Sequence, residues 1–330
     1  MKIVISDFPK VLKRNVEYEE QLLQKLLPDA KICLVEYWQK EQWLKTVKDA
    51  DAILTAFIRI DGEMMDAMPN LKCIVLNASG YDNVDLTAAS ARHIAVVPIR
   101  EYCTQEVAEH ALSLMLALSR GLKHYEHDID VEKKWQYTSL KGLRRIDGQT
   151  LGIAGFGKIG KAVAKRAQAF GMHVIAYSPY SRPEEAEQFD VEFVSKEELF
   201  ARSHIITNHM AMSADNQSFF DWDAFSQMKQ KPIFINVARG GAVDEEALVR
   251  ALDEGLLLGA GLDVLSSESP NLKNCPLTGR ENVIITPHAA FYSEDSLRAL
   301  QDISCNNLVH YLKGEYDAVH WIANQDALGI

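Results

Sequence analysis

The sequence predicts an α/β protein made of two doubly wound parallel-sheet domains. Three observations carry this: a length of 330 residues, two separate series of short Val/Ile-rich runs alternating with helical patterns, and a glycine turn opening the second series. A typical domain takes roughly 100–200 residues, so two are the default here. Short apolar runs alternating with amphipathic helices mark βα units, whose parallel strands are buried on both faces.

The first series has candidate strands at residues 2–6, 32–36, 52–55, 73–76 and 94–97, and helices near 17–27, 40–48 and 63–68. A helix from about 105 to 118 follows, with Val107, Ala108, Ala111, Leu112, Met115 and Leu118 at helical spacing. Polar sequence then runs to Gly148. The second series begins at Thr150. Its strands are expected at 150–154, 173–177, 205–209, 232–237, 258–263 and 283–286, with helices near 159–170, 196–200, 222–228 and 244–253. Ser195 and Glu198 have the spacing of a capping box. An amphipathic helix from about 294 to 313 closes the chain. There is no short repeat, and the two series are not copies of one another.

Composition excludes several classes. Lys and Arg number 35 against 46 Asp and Glu, a formal charge of −11 with no dense basic stretch, which argues against a nucleic-acid surface. Met1-Lys2-Ile3-Val4-Ile5 runs straight into a strand pattern, not a signal peptide, and no apolar window is long enough to span a membrane. The five cysteines form no Cys-x-x-Cys pair and are odd in number, as expected of reduced thiols in a cytoplasm.

Residues 155–160 read Gly155-Phe156-Gly157-Lys158-Ile159-Gly160, a G-x-G-x-x-G between a strand and a helix. In that context Gly155 permits the tight turn, Gly157 lets a pyrophosphate approach the backbone, and Gly160 lets helix and strand pack closely. The helix N-terminus then offers N–H groups and a positive dipole to the phosphates. The next strand of a dinucleotide fold normally ends in a carboxylate for the adenosine ribose. Here it ends at Ser178, with Arg182 four residues on. A hydroxyl and a cation without a repelling carboxylate favour NADP(H) over NAD(H), although Arg182 reads equally well as a solvated loop residue.

Three later segments each end a strand: Asn236-Val237-Ala238-Arg239-Gly240, Gly261-Leu262-Asp263 leading to Glu268, and Thr286-Pro287-His288. Ligands bind at the carboxyl ends of such strands, so Arg239, Glu268 and His288 are expected to converge. Reduction of a 2-oxo acid needs a cation for the carboxylate, a proton donor for the alkoxide and a group that tunes the donor. Arginine's planar fork suits the first, histidine the second and a carboxylate the third. Singly, Arg239 could cap a strand end, Glu268 could be solvated and His288 could be a satisfied core residue. Their joint presence with the glycine turn favours chemistry.

These motifs, with Asn77-Ala78-Ser79-Gly80-Tyr81-Asp82-Asn83-Val84-Asp85 and Val107-Ala108-Glu109-His110, resemble the D-isomer-specific 2-hydroxyacid dehydrogenase family nearly end to end. The gaps of 29 residues (239 to 268) and 20 residues (268 to 288) suit it too. The resemblance implies a flavodoxin-like substrate domain (residues 1–101), a Rossmann nucleotide-binding domain (102–291) and a terminal segment (292–330) returning to the first. It also implies a homodimer paired through the nucleotide domain, and an active site in a cleft that closes by hinge motion.

By the same resemblance Arg239 binds the substrate carboxylate and carbonyl, His288 is the general acid/base and Glu268 its partner. Backbone amides around Ala78, Ser79 and Gly80 hold the carboxylate. Asp263 takes the nicotinamide carboxamide, and Thr104 lies near the nicotinamide. The expected cofactor-binding set is completed by Gly155, Phe156, Gly157, Lys158, Ile159, Gly160, Ser178, Arg182, His209, Val237 and Ala238. The expected activity is NAD(P)H-dependent reduction of a small 2-oxo acid to the D-2-hydroxy acid. The alternative is a nicotinamide-sensing protein of the C-terminal-binding corepressor kind, which shares the fold.

The sequence departs from the family pattern at His209-Met210-Ala211, where His-x-Pro is frequent, and at Ser178. Phe57 and Ile58 would suit an apolar substrate side chain and Arg59 an acidic one; ordinary loop packing is the equal alternative for all three. Trp135 could reach a neighbouring subunit. His124 and His127 lie three apart on an expected helix face without further ligands nearby, so no metal is expected.

Overall fold

The computed structural model describes residues 1–13, 15–179 and 182–330; Arg14, Tyr180 and Ser181 lie outside the described residues. The chain divides into two compact units, Met1–Tyr102 with Ser293–Ile330, and Cys103–Tyr292.

In the first unit β1 (Lys2–Asp7), β2 (Lys31–Glu36), β3 (Ala52–Thr55), β4 (Cys73–Leu76) and β5 (Ala95–Val97) form a parallel sheet in the order β2-β1-β3-β4-β5. Ile3, Val4, Ile5, Ile53, Leu54, Ile74 and Val75 are fully buried. They face helix layers on both sides, which is why these strands read as continuous apolar runs. One layer includes helix Val16–Leu26 and the long helix Glu294–Lys313, whose Cys305, Leu308 and Val309 share a core with Ile3, Ile5 and Leu54. Ser293 caps that long helix and Gly314, at φ +77°, ends it. Helix Leu86–Ala91, capped by Asp85, was not anticipated from the sequence.

The second unit holds β6 (Thr150–Ala154), β7 (His173–Tyr177), β8 (Glu192–Phe193), β9 (Ile205–Asn208), β10 (Ile233–Asn236), β11 (Gly259–Leu262) and β12 (Val283–Ile285). They form one parallel sheet in the order β12-β11-β10-β9-β6-β7-β8. The order reverses at β6, which pairs with β7 on one side and β9 on the other. A reversal of this kind opens the crevice where doubly wound sheets take ligands. Helices Thr104–Ser119 and Lys158–Ala169 cover one face, and a phenylalanine-rich core with Phe200, Phe220, Phe225 and Phe234 fills the other. The Ser195–Glu198 capping box forms, with bonds of 3.2 and 3.0 Å. The stretch read as polar after residue 118 contains helix Leu122–Asp130, entered through Gly121 at φ +61°. Among the described residues no helix is long and apolar enough to cross a membrane.

Candidate active site

At the carboxyl end of β6 the chain turns through Gly155 into helix Lys158–Ala169. Gly155 adopts φ +92°, and a Cβ there would lie 2.7–2.9 Å from the backbone of His209 and Met210. Only glycine lets the turn rest against the loop after β9. A Cβ on Gly157 would meet nothing within 4 Å, so space is open in front of the helix. Gly157 is the N-cap, and no side chain caps the first turn that Lys158 and Ile159 begin. Its amides and dipole therefore suit an anion in that space, which fits a dinucleotide pyrophosphate. Phe156 is 4% exposed and packs edge-on against Phe189 and Phe193, so its side chain is core. Thr104 is the first residue of its helix.

Ser178 directly follows β7. Arg182 caps a helix that the sequence did not reveal, Pro183–Phe189. Its guanidinium is 79% exposed and 3.9 Å from Glu185 Oε1. Lys161 Nζ donates to the same Glu185 oxygen at 2.6 Å. That bond, ahead of the charges of Lys161 and Arg182, holds the Glu185 carboxyl below the usual carboxylate range. A carboxylate therefore competes for both cations, which the strand-end reading overlooked. The turn expected at 179–181 includes Tyr180 and Ser181, which lie outside the described residues.

His209 lies in the loop directly after β9. Burial pushes the pKa of its ring down to about 3. Nε2 meets Thr207 Oγ1 at 2.9 Å, and Nδ1 has no partner. The neutral imidazole packs the loop, and the backbone N–H ties that loop to Ala154 O at 2.8 Å. Val237 is buried and Ala238 half-buried, with the Ala238 N–H donating to Asn236 Oδ1 at 3.2 Å just before Arg239.

Arg239, Glu268 and His288 come together. A Cβ on Gly240 would lie 1.9 Å from Leu265 O, so glycine lets the Arg239 loop press on the loop leading to Glu268. His288 Nδ1 lies 2.9 Å from Glu268 Oε2 and 3.1 Å from Oε1. This hydrogen bond holds the Glu268 carboxyl below its usual range, and the nearby Arg239 charge acts in the same direction. An ionised carboxylate only accepts, so Nδ1 carries a proton towards Glu268, and Nε2 is the ring nitrogen left for a substrate.

His288 also adopts φ +53°. For a residue with a Cβ this conformation costs about 1–2 kcal/mol. Asp263 holds it in place. The His288 N–H donates to Asp263 O at 2.7 Å. The buried Asp263 carboxylate accepts from Thr286 Oγ1 at 2.5 Å, Ala289 N at 2.8 Å and Ala290 N at 2.9 Å. His110 Nε2 lies 2.9 Å from the Thr286 hydroxyl, whose proton goes to Asp263, so His110 donates. Sequence reasoning gave no role to His110 or Thr286. Both sat in recognisable motifs, but nothing in their spacing says they meet.

In the first unit, Ala78, Ser79 and Gly80 form the bend after β4, where Ala78 O accepts from the Ile99 N–H at 2.9 Å. The neighbouring loop after β3 is pinned by Asp7, which accepts from the Ala56 N–H at 2.6 Å, and by Asn83 Nδ2, which donates to Ile58 O at 2.8 Å. Ile58 is 0% exposed and belongs to the core, so of the two readings open for it, packing is the one the structure shows. Phe57 and Arg59 are exposed. His124 pairs with Glu281 and Asp128, and among the described residues no group of three or more metal-ligating side chains is assembled.

Comparison with known proteins gives a consistent picture. A profile of the D-isomer specific 2-hydroxyacid dehydrogenase, NAD binding domain, matches residues 112–290. A glyoxylate reductase of Thermococcus kodakarensis is 34% identical over 294 residues, covering 85% of this chain and 87% of that protein. A D-3-phosphoglycerate dehydrogenase of Mycobacterium tuberculosis is 37% identical over 285 residues, covering 85% of this chain and 53% of that protein, so the chain spans about half its length. Among solved structures, D-lactate dehydrogenase from Aquifex aeolicus complexed with NAD and lactic acid has a TM-score of 0.86 at 28% identity, covering 96% of this chain and 97% of that one.

Proposed function

The chain belongs to the D-isomer-specific 2-hydroxyacid dehydrogenase family, and on that premise we propose that it reduces a small 2-oxo acid to the D-2-hydroxy acid with NAD(P)H. The observation carrying this reading is the His288–Glu268 pair at 2.9 Å, with the Arg239 charge acting on the same carboxylate. When bound, the reduced nicotinamide supplies the hydride for the carbonyl carbon. Arg239 holds the substrate carboxylate through its planar fork and polarises the carbonyl. His288 Nε2 gives its proton to the developing alkoxide oxygen and ends as neutral imidazole; in the oxidative direction it takes that proton back. Glu268 stabilises the imidazolium and orients the ring through Nδ1. Asp263 keeps the His288 loop in its left-handed turn and bounds the nicotinamide carboxamide. Thr104 borders the nicotinamide.

The cofactor follows from Ser178. With no carboxylate at the end of β7 to repel a 2′-phosphate, NADPH is used at least as well as NADH. Arg182, being exposed, reaches the phosphate once it leaves Glu185.

The protein acts as a homodimer through its nucleotide-binding unit. Support comes from the exposed apolar residues Leu122, Val131, Trp135 and Tyr137, the last two 94% and 87% exposed. Five cysteines, odd in number and without a Cys-x-x-Cys pair, support a cytoplasmic location. A panel of 2-oxo acids assayed for NADH and NADPH oxidation tests the reading. Robust substrate-dependent oxidation supports it, and tight cofactor binding without turnover on any acid would favour a sensing protein instead.

A further inference from the structure

Strand register brings Asp263 and Thr286 together. β11 and β12 are neighbours, with Leu262 opposite Ile285, and the Thr286 N–H donates to Leu262 O at 2.9 Å. The two residues therefore leave adjacent strand ends side by side. The Asp263 side chain is 0% exposed, and among the described residues no lysine or arginine pairs with it. A buried carboxylate without such a cation depends on its hydrogen-bond donors. Two of them, the Ala289 and Ala290 N–H groups, belong to the His288 loop itself. The third, the Thr286 hydroxyl, ties the carboxylate to the end of the sheet.

A hydroxyl carries one proton. Thr286 Oγ1 has two neighbours able to take it, Asp263 Oδ1 at 2.5 Å and His110 Nε2 at 2.9 Å. With Nε2 bare, the ring competes with the carboxylate for that proton. With hydrogen on Nε2, the ring is a donor, and the hydroxyl proton is committed to Asp263. A separation of 2.5 Å is that of a hydroxyl donating to an ionised carboxylate, so the second arrangement holds. His110 Nε2 stands 3.6 Å from Asp263 Oδ1, beyond hydrogen-bond reach, and acts on it through the hydroxyl.

Helix packing delivers that donor. Val107, Ala108, Ala111 and Leu112 of helix Thr104–Ser119 are buried, in one core with Ile235 and Ala290. His110 lies on the flank of this buried face, with its side chain 23% exposed. An apolar residue would pack on the flank as well; what sets the imidazole apart is the hydrogen on Nε2. The loop at the far end of the chain of contacts carries His288 at φ +53°. A left-handed turn at a residue with a Cβ persists only where its surroundings enforce it.

We propose that His110 is a positioning residue for the reaction: by donating from Nε2 to Thr286 it commits the hydroxyl to Asp263, and so holds the His288 loop in the turn from which the proton is transferred. The effect on turnover rests on the reduction reading above. The effect on the loop does not, and it is measured separately.

The test compares His110→Leu, which keeps bulk and loses the donor, with His110→Gln, whose side-chain amide restores an N–H near the place of Nε2. Amide hydrogen exchange on the full chain reads the Ala289 and Ala290 N–H groups. In His110→Leu they should exchange about fivefold faster, the loss of one hydrogen bond, while peptides across β6 and β10 exchange as in the parent. In His110→Gln they should stay within about twofold of the parent. With the best 2-oxo acid, kcat of His110→Leu should fall by the same factor of about five, with KM nearly unmoved, and His110→Gln should recover it. In a Thr286→Val background His110→Leu should add no further loss, because the path between them is already cut. Unchanged exchange in His110→Leu overturns the proposal. So does equal acceleration in both His110 variants, which would make the ring mere packing, or faster exchange with kcat unchanged. Losses that add in the double variant overturn it as well. Faster exchange restored by glutamine, in a chain that turns over no 2-oxo acid, would uphold the hold on the loop and sink the reduction reading instead.

Discussion

Glu268→Gln isolates what the carboxylate does for His288. The substitution keeps an oxygen that can accept from Nδ1, so the ring stays oriented while the negative charge is lost. A charge-assisted hydrogen bond is worth about 1.5–3 kcal/mol. Glu268 is 58% exposed, and solvent screening brings the electrostatic part down to about 1 kcal/mol. The direction follows from which form works. Reduction needs the imidazolium, and removing the carboxylate disfavours it. The high-pH limb of the reduction profile should therefore move towards lower pH. Oxidation needs neutral imidazole, so its low-pH limb should move the same way. The assay is kcat/KM against pH in both directions for parent and variant. If both limbs stay in place while rates fall uniformly, Glu268 only orients the ring and the charge argument is wrong.

Other substitutions probe the remaining parts. Arg239→Lys keeps the charge but loses the fork, so KM for the best 2-oxo acid should rise and kcat should fall; unchanged kinetics would place the carboxylate elsewhere. Ser178→Asp should shift the ratio of kcat/KM for NADPH over NADH towards NADH by about one to two powers of ten, and an unmoved ratio would sink the reading of the β7 end. His209 bears on stability. Its folded pKa is about 3, well below the unfolded value of about 6.5. Below pH 6.5 the unfolded chain therefore takes up a proton that the folded chain refuses. Stability should fall by about 2 kcal/mol between pH 6.5 and 5 through this residue alone. Urea unfolding of the parent and a His209→Gln variant over that range should differ in slope. Parallel curves would show that the imidazole is not held neutral.

The sequence was most legible where a strand is wholly buried. The runs at 73–76, 150–154 and 173–177 are strands with those bounds, because continuous Val/Ile runs have no other comfortable place. It was least legible in short elements. Leu86–Ala91, Pro183–Phe189 and the two-residue strand Glu192–Phe193 span too few residues for a periodic pattern to declare itself. Local chemistry left two readings open at Ile58, where an apolar residue in a loop is core because Asp7 and Asn83 fold that loop back onto the sheet. In the site, the meeting of Arg239, Glu268 and His288 follows from one rule, that strand ends share an edge of the sheet. The pairs Lys161–Glu185 and His110–Thr286 obey no such rule. They depend on how helices lie on the sheet, which spacing along a single chain does not encode.

The account rests on His288 Nε2 as the proton donor, and His288→Gln tests it most directly. Cofactor binding, measured by nicotinamide fluorescence, should be unchanged, and turnover of the best 2-oxo acid should fall by roughly two to four orders of magnitude. A folded His288→Gln protein that still turns over near the parent rate would contradict the account.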